Sequence, residues 1–149
     1  LFSEAKNLEV ACLARLWLDD RSGRNSESRT LDIIFRHLRQ YQSTIKAVVA
    51  YSDPEAGHTG TIYRGTGMLY LGWSTAMALY RLPDGTVHHS RSLGHSYGTH
   101  SLKHFESHGL KVELVKQMPK RTYVALIDLD WRDRLTRPVI AYRAKEGCG

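Results

Sequence analysis

With 149 residues, 42% of them hydrophobic, and a formal net charge of +6, the chain can bury the core of one domain, and its charge favours polyanionic partners such as nucleic acid, nucleotides or acidic lipid. Its two cysteines, Cys12 and Cys148, are too few for a disulfide scaffold or a zinc motif, and no apolar run approaches the roughly 20 residues of a membrane span. We therefore expect a cytoplasmic protein that has no membrane partner.

The first predicted element is a strand at 8–18, a mostly apolar run in which Cys12 is expected to be a buried core thiol. Turn residues follow at 19–23. A helix then starts at Asn25 or Ser26, either of which can cap it, and ends near residue 41. Its predicted buried face carries Leu31, Ile34, Phe35, Leu38 and Tyr41 at helical spacing.

Residues 45–51 form a short β-branched run, which is typical of a strand buried on both faces. Strand, helix and strand in succession predict a βαβ unit, so the strands at 8–18 and 45–51 should be parallel neighbours. A phosphate site is then expected where the crossover helix begins, at Arg24, Asn25 and Ser26. An ordinary capped helix with solvated arginines remains the alternative.

The later elements complete a prediction of a mixed α/β fold in one domain over 1–149. We expect a short helix at 58–66 that ends at Gly67, and a long strand at 68–81 that turns at Asp84-Gly85 into a hairpin partner at 86–91. The remaining elements are predicted as a helix at 101–108, ended by Gly109, and strands at 111–116 and 122–128.

Three titratable residues lie at or after the end of the buried strand, where α/β folds place their sites. Asp53 is a candidate general base, and Tyr63 is a candidate acid or oxyanion donor. His58 lies between them, across a predicted helix start. Structural roles stay open for each: Asp53 as a helix cap, His58 as a turn residue and Tyr63 as part of the core.

The region 81–111 is basic and rich in histidine. His100, His104 and His108 would share one face of a helix, but no third-ligand pattern accompanies them, so a solvated basic face is favoured over a metal site. Aromatic side chains lie between the basic ones, as on surfaces that bind nucleic-acid backbones. The candidate DNA contacts are Arg81, Arg91, Lys103 and Lys111.

Several motifs together resemble the Mom proteins of Mu-like bacteriophages and their prophage relatives. The resemblance spans roughly 8–126, and its most specific part is the Ser-Asp-Pro, Gly-His and Ile-Tyr sequence within 51–63. The matching segments are Arg15-Leu-Trp-Leu-Asp19, Arg24-Asn-Ser-Glu-Ser-Arg29, Tyr51-Ser-Asp-Pro-Glu-Ala-Gly-His-Thr-Gly-Thr-Ile-Tyr63, Leu69-Tyr-Leu-Gly72, Ser96-Tyr-Gly-Thr99 and Pro119-Lys-Arg-Thr-Tyr-Val124.

The resemblance implies a GNAT-like acyltransferase fold, a mixed sheet with flanking helices. It also implies an enzyme that converts adenine in double-stranded DNA to a methylcarbamoyl, glycinamide-like form and so protects phage DNA from host restriction. Asp53 and Tyr63 match positions implicated in activity, and Arg15 and Ser28 match positions implicated in cofactor binding or function. Acetyl-CoA would bind at 24–28, and the strands at 8–18 and 45–51 would separate at their ends to admit its pantetheine arm.

The family is also described as dependent on iron, with Asp53, His58 and Tyr63 as open candidates for its ligands. Family members carry further strands before the one that begins near Leu8. Since this sequence starts at Leu1, we expect it either to be a fragment or to have these strands supplied otherwise. Two other functions stay open: a general GNAT N-acetyltransferase acting on small amines or proteins, and a nucleic-acid-binding module without enzymatic activity. Monomer and homodimer are both compatible with the sequence.

Overall fold

The computed structural model describes residues 1–89, 92–93, 102–107, 109 and 111–141. The chain is mixed α/β, as predicted, with two β-sheets and short helices. The strands are β1 Val10–Leu13, β2 Ala47–Ser52, β3 Leu69–Trp73, β4 Ala78–Arg81, β5 Val87–His89, β6 Glu113–Lys116 and β7 Arg121–Leu126. The α-helices are α1 Ser26–Tyr41, α2 Thr61–Gly65 and α3 Leu102–Ser107, and 3-10 helices cover Asp20–Ser22 and Leu129–Arg134.

The four-stranded sheet has the order β1-β2-β7-β3. β1 pairs parallel with β2, from Val10 opposite Ala47 to Leu13 opposite Ala50, which confirms the predicted βαβ unit. The other pairs in this sheet are antiparallel. β1 is shorter than predicted, because the chain leaves the sheet after Leu13 and exposes Arg15 and Trp17. β2 therefore extends two residues beyond its pairing with β1.

Both faces of β2 are covered by apolar side chains, as predicted. Val48 and Ala50 pack into a cluster that contains Leu31 and Phe35 of α1. On the other face, Ala47 and Val49 pack in a second cluster, with Leu71, Val124 and Trp131. Because alternate residues of a strand point to opposite faces of the sheet, the two clusters determine the face on which each residue at the end of β2 lies.

The helix prediction at 26–41 is confirmed, but part of its buried face is wrong. Ile34 is 40% exposed and Tyr41 62% exposed, because the core contact is confined to the Leu31 and Phe35 stripe and half-buried Leu38. The helix predicted at 58–66 is limited to α2, since Gly60 adopts a left-handed conformation immediately before it. None of the described helices is long and apolar enough to cross a bilayer.

Two further strand predictions are wrong in detail. Cys12 is exposed on β1 instead of buried in the core. The long strand at 68–81 is two strands, β3 and β4, in different sheets. The chain leaves β3 at Ser74, whose backbone N–H donates to the Lys120 carbonyl (2.7 Å) and whose Oγ accepts from the Lys120 N–H (3.0 Å).

The chain divides into two compact units, one formed by Leu1–Ser74 with Lys120–Gly149 and the other by Thr75–Pro119. The second unit holds the sheet β5-β4-β6 and a small core of Tyr80, Leu93 and Phe105. The predicted hairpin is confirmed: β4 and β5 are antiparallel, and Asp84 Oδ1 accepts from the Thr86 N–H in the turn. The single domain over 1–149 stays a prediction.

Candidate active site

A cavity of about 370 Å³ lies at the end of β2 in the first unit. It is lined by Leu16, Ser52 and every residue from Gly57 to Tyr63. Among the residues that the structure describes, the lining therefore combines hydroxyl-bearing residues, a histidine and apolar residues, and it includes no Asp, Glu, Lys or Arg. Two of the three predicted catalytic residues, His58 and Tyr63, face it, while Asp53 follows the lining residue Ser52 directly in the chain.

A tight turn carries the chain from β2 to the cavity wall. The Asp53 carbonyl accepts from the His58 N–H at 3.0 Å, and the Pro54 carbonyl accepts from the Gly57 N–H at 3.0 Å. The Asp53 side chain accepts from the Glu55 N–H at 3.0 Å, which is the usual role of aspartate at the start of a turn. Asp53 thus has a structural function as well as a position at the strand end.

Lys120 holds the Asp53 carboxylate as an anion. Its Nζ lies 2.9 Å from Asp53 Oδ2, with the two side chains 31% and 21% exposed respectively. The hydrogen bond from Lys120, with help from backbone amides of the turn, lowers the pKa of Asp53 below its ordinary value. Because β7 runs antiparallel to β2, the residue just before β7 comes to lie beside the end of β2. The position of Lys120 beside Asp53 could not be predicted from the sequence, since only the pairing of β2 with β7 brings the two residues together.

Tyr63 forms the α2 side of the cavity and packs against the core. Its ring centroid lies 5.2 Å from that of Tyr123, which in turn lies 5.3 Å from that of Tyr70. Burial raises the pKa of Tyr63, with a smaller contribution from Cys12, so the phenol remains protonated at neutral pH. Tyr63 is therefore a core-packing ring that also lines the cavity.

Gly60 allows the cavity wall to lie close to Tyr123. Its φ is +75°, and a Cβ at this position would overlap the Tyr123 hydroxyl. That hydroxyl donates a long hydrogen bond (3.5 Å) to the Thr59 carbonyl. A residue with no side chain is thus needed at position 60 for both its backbone conformation and its space. Glycine just before a helix could have indicated this turn in the sequence, but not its contact with β7.

The backbone of His58 is anchored, and its side chain is exposed. The His58 carbonyl accepts from Arg121 Nη1 at 3.3 Å. The Arg121 guanidinium also lies over the Trp73 ring, 4.7 Å from its centroid. These contacts fix the backbone of residue 58 at the cavity wall.

The predicted cofactor residues lie at and around the start of α1. Asn25 is the N-cap residue but adopts φ 64°, and its side chain makes no capping hydrogen bond. The Ser26 hydroxyl donates to the Ser22 and Gly23 carbonyls and so does not cap the helix either. The expectation of a side-chain cap is therefore wrong, and the first-turn amides receive no side-chain bond from Asn25.

The other cofactor candidates are divided between solvent and a helix contact. Arg15 and Arg24 are exposed. Ser28 faces α2, where its Oγ lies 3.3 Å from the position that a Cβ of Gly65 would occupy. Uncapped amides with Arg24 beside them fit the phosphates of acetyl-CoA, although Glu27 adds a negative charge in the same turn.

The described residues contain no group of three His, Cys, Asp or Glu side chains that could hold a metal ion. Of the open candidates Asp53, His58 and Tyr63, the first already binds Lys120 and a backbone amide. The dependence on iron that the resemblance implies therefore stays a prediction.

The predicted DNA-contacting residues belong to the second unit. Arg81 Nη1 lies 2.9 Å from Glu113 Oε2, an ion pair that partly neutralises it. Lys103 on α3 and Lys111 are exposed. Arg91, like His100 and His108, lies outside the described residues. The four residues therefore stay a prediction, with Lys103 and Lys111 the better placed of those described.

Comparison with known proteins confirms the family resemblance that the sequence indicated. A model of the Mom protein family matches residues 1–144. The methylcarbamoylase Mom of Escherichia phage Mu is 31% identical over 86 residues, a segment that covers 58% of this chain and 35% of the phage protein. The matched segment thus spans about a third of the length of that curated relative.

Proposed function

The chain belongs to the Mom protein family, and on this premise we propose that it is a phage or prophage enzyme that modifies adenine in DNA. The product would be the methylcarbamoyl, glycinamide-like form of the base, and the modification would protect the DNA from host restriction. The name of the phage Mu relative, a methylcarbamoylase, supports this type of chemistry. Because the match covers a third of that relative, activity, substrate and partners are all part of the proposal.

The observation that carries the proposal is the cavity at the end of β2, with Tyr63 and His58 in its wall and Asp53 beside it. The two groups implicated in activity are kept in opposite protonation states, because Lys120 lowers the pKa of Asp53 and burial raises that of Tyr63. In this account the Asp53 carboxylate accepts a hydrogen bond from the adenine amine, and the Tyr63 hydroxyl donates one to the reacting group.

The proposed cofactor is acetyl-CoA on a GNAT-like fold. When bound, it would supply an activated acetyl unit. The amides at the start of α1, together with Arg24, would bind its phosphates, because Asn25 leaves those amides uncapped. The end of β1 at Leu13 leaves Tyr51 and Ser52 of β2 without a paired strand on that side in the described residues, which supports entry of an extended arm there.

Double-stranded DNA is the proposed substrate. The net charge of +6 favours its binding, and Lys103 and Lys111 of the second unit are the proposed phosphate contacts. An adenine within the duplex would have to leave the base stack to enter a cavity of this kind.

The proposal is tested by mass analysis of nucleosides from the DNA of cells that produce the protein. A new adenine derivative with the mass of the methylcarbamoyl adduct is the expected result. Unmodified adenine from cells that contain the folded protein would contradict it. Binding of acetyl-CoA without any salt-dependent DNA affinity would instead favour an acetyltransferase acting on small amines or proteins.

A further inference from the structure

Ser52 carries a buried hydroxyl that is not satisfied by any described residue. The residue is 2% exposed, and its Oγ makes no hydrogen bond within the described part of the chain. A buried polar group left in this state costs free energy, and for this reason such groups in folded proteins nearly always have partners. Ser52 also lines the cavity at the end of β2, so its side chain lies at the wall of the space that an incoming molecule would fill.

The strand geometry explains why this hydroxyl faces the cavity. Alternation along β2 places Ser52 on the same face as Val48 and Ala50, the face on which Tyr123 packs. The apolar side chains of that face end at Ser52, where the cavity begins. The neighbouring hydroxyls of Thr59 and Thr61 bind each other at 2.7 Å. Ser52 is thus a polar group of the cavity wall that the fold itself does not satisfy.

Comparison with Thr122 distinguishes the effect of lining the cavity from the effect of burial alone. It lies on the neighbouring strand β7 and is fully buried, and its Oγ1 likewise has no hydrogen-bond partner among the residues that the structure describes. It pairs with Tyr51 and does not line the cavity. A ligand can therefore satisfy Ser52 but not Thr122, which makes Thr122 a matched control.

We propose that the Ser52 hydroxyl is the polar anchor of a binding site for an uncharged group that carries hydrogen-bond donors or acceptors beside an apolar face. The cavity wall supports an uncharged group, because its described residues include no carboxylate, ammonium or guanidinium side chain. Under the proposed function, on which this inference rests, two molecules offer this chemistry: the adenine base and the amide-bearing pantetheine arm of the cofactor. Ser52 would form a hydrogen bond with whichever of them fills the cavity.

The test measures the binding of adenosine and of pantetheine, each by calorimetry, to the wild-type chain and to its Ser52→Ala and Thr122→Val variants. At least one probe should bind the wild type, and Ser52→Ala should weaken that binding by about tenfold, as expected for one lost neutral hydrogen bond. Thr122→Val should bind with wild-type affinity. The probe whose affinity falls identifies the group that Ser52 contacts.

Thermal unfolding of the same variants shows whether any loss of binding comes from a loss of folded protein. Ser52→Ala removes an unsatisfied hydroxyl, so the variant without ligand should be at least as stable as the wild type. The inference is overturned if neither probe binds the wild type, or if Ser52→Ala binds as tightly as the wild type. Because binding alone is measured, unmodified DNA in cells would contradict the proposed function without affecting this result.

Discussion

Lys120 Nζ lies 2.9 Å from Asp53 Oδ2, across the junction between the end of β2 and the start of β7. The contact joins two segments that are distant in sequence and places a fixed anion next to the cavity-lining Ser52. It also couples the local turn at 53–57 to the sheet, because the same carboxylate accepts from the Glu55 N–H. The ionisation state of Asp53 is therefore tied to the stability of this edge of the fold.

We predict that Lys120→Met destabilises the protein by about 0.5–1 kcal/mol at pH 7, the usual size of a partly exposed ion pair. The folded-state pKa of Asp53 is lowered from 3.8, so this stabilisation is present above that pH and is lost as the pH falls through the lower folded value. Urea unfolding between pH 7 and pH 3 should show the two proteins converging in acid. Lys6→Met, at an exposed residue, is the control. A difference that is constant with pH would contradict the assignment.

Gly60→Ala should destabilise the protein more than Gly57→Ala. Both glycines have positive φ, near +75°, but a Cβ at 57 meets open space, whereas at 60 it overlaps Tyr123. The backbone cost of about 1–2 kcal/mol is shared, and overpacking adds about 1–3 kcal/mol at position 60 alone. Denaturant unfolding of both variants measures the difference. Equal losses would mean that the loop does not rest on the Tyr123 hydroxyl.

Arg24→Ala is expected to weaken the binding of acetyl-CoA about tenfold or more, because a charge-assisted hydrogen bond to phosphate is lost. Arg36→Ala is the control, since Arg36 lies within α1, away from its start, and forms an ion pair with Asp32 on the exposed side. Calorimetry at fixed ionic strength compares the two variants. If both bind like the wild type, the start of α1 is not the phosphate site.

Lys111→Ala should lower DNA affinity for all sequences and reduce the salt dependence of binding by about one unit of slope. Arg81→Ala should have the smaller effect, because Glu113 already neutralises part of the Arg81 charge. Fluorescence anisotropy with a labelled duplex at several salt concentrations gives both slopes. The opposite ranking would show that Arg81 leaves Glu113 to contact DNA.

The sequence predicted those secondary-structure elements that depend on residues close together in the chain. The helix at 26–41 was predicted from the spacing of its apolar residues, and the structure confirms it. The parallel pairing of β1 with β2 was predicted from the order strand, helix, strand, and it is also confirmed. The break between β3 and β4 was not predictable, because the residues at 68–81 are all compatible with a strand. The break depends on Ser74 bonding to Lys120, on a distant segment.

In the candidate site, too, some features follow from local sequence and others depend on contacts between distant segments. Asp53, His58 and Tyr63 could be selected because they follow a buried strand, where such sites lie. The partner of Asp53 and the solvent-inaccessible state of Ser52 depend on the antiparallel pairing of β2 with β7. No periodicity in the sequence encodes that pairing, since β7 follows β2 after an entire second unit.

Nucleoside mass analysis of cellular DNA tests most directly whether adenine in DNA is modified in the cavity that Tyr63 lines. Cells that produce the wild type or Tyr41→Phe, which loses a hydroxyl at an exposed position on α1, should contain the methylcarbamoyl adenine derivative. Cells that produce equal amounts of folded Tyr63→Phe, which keeps the ring packed on Tyr123, should lack it. The derivative at wild-type levels with Tyr63→Phe, or its absence with the wild type, would contradict the account.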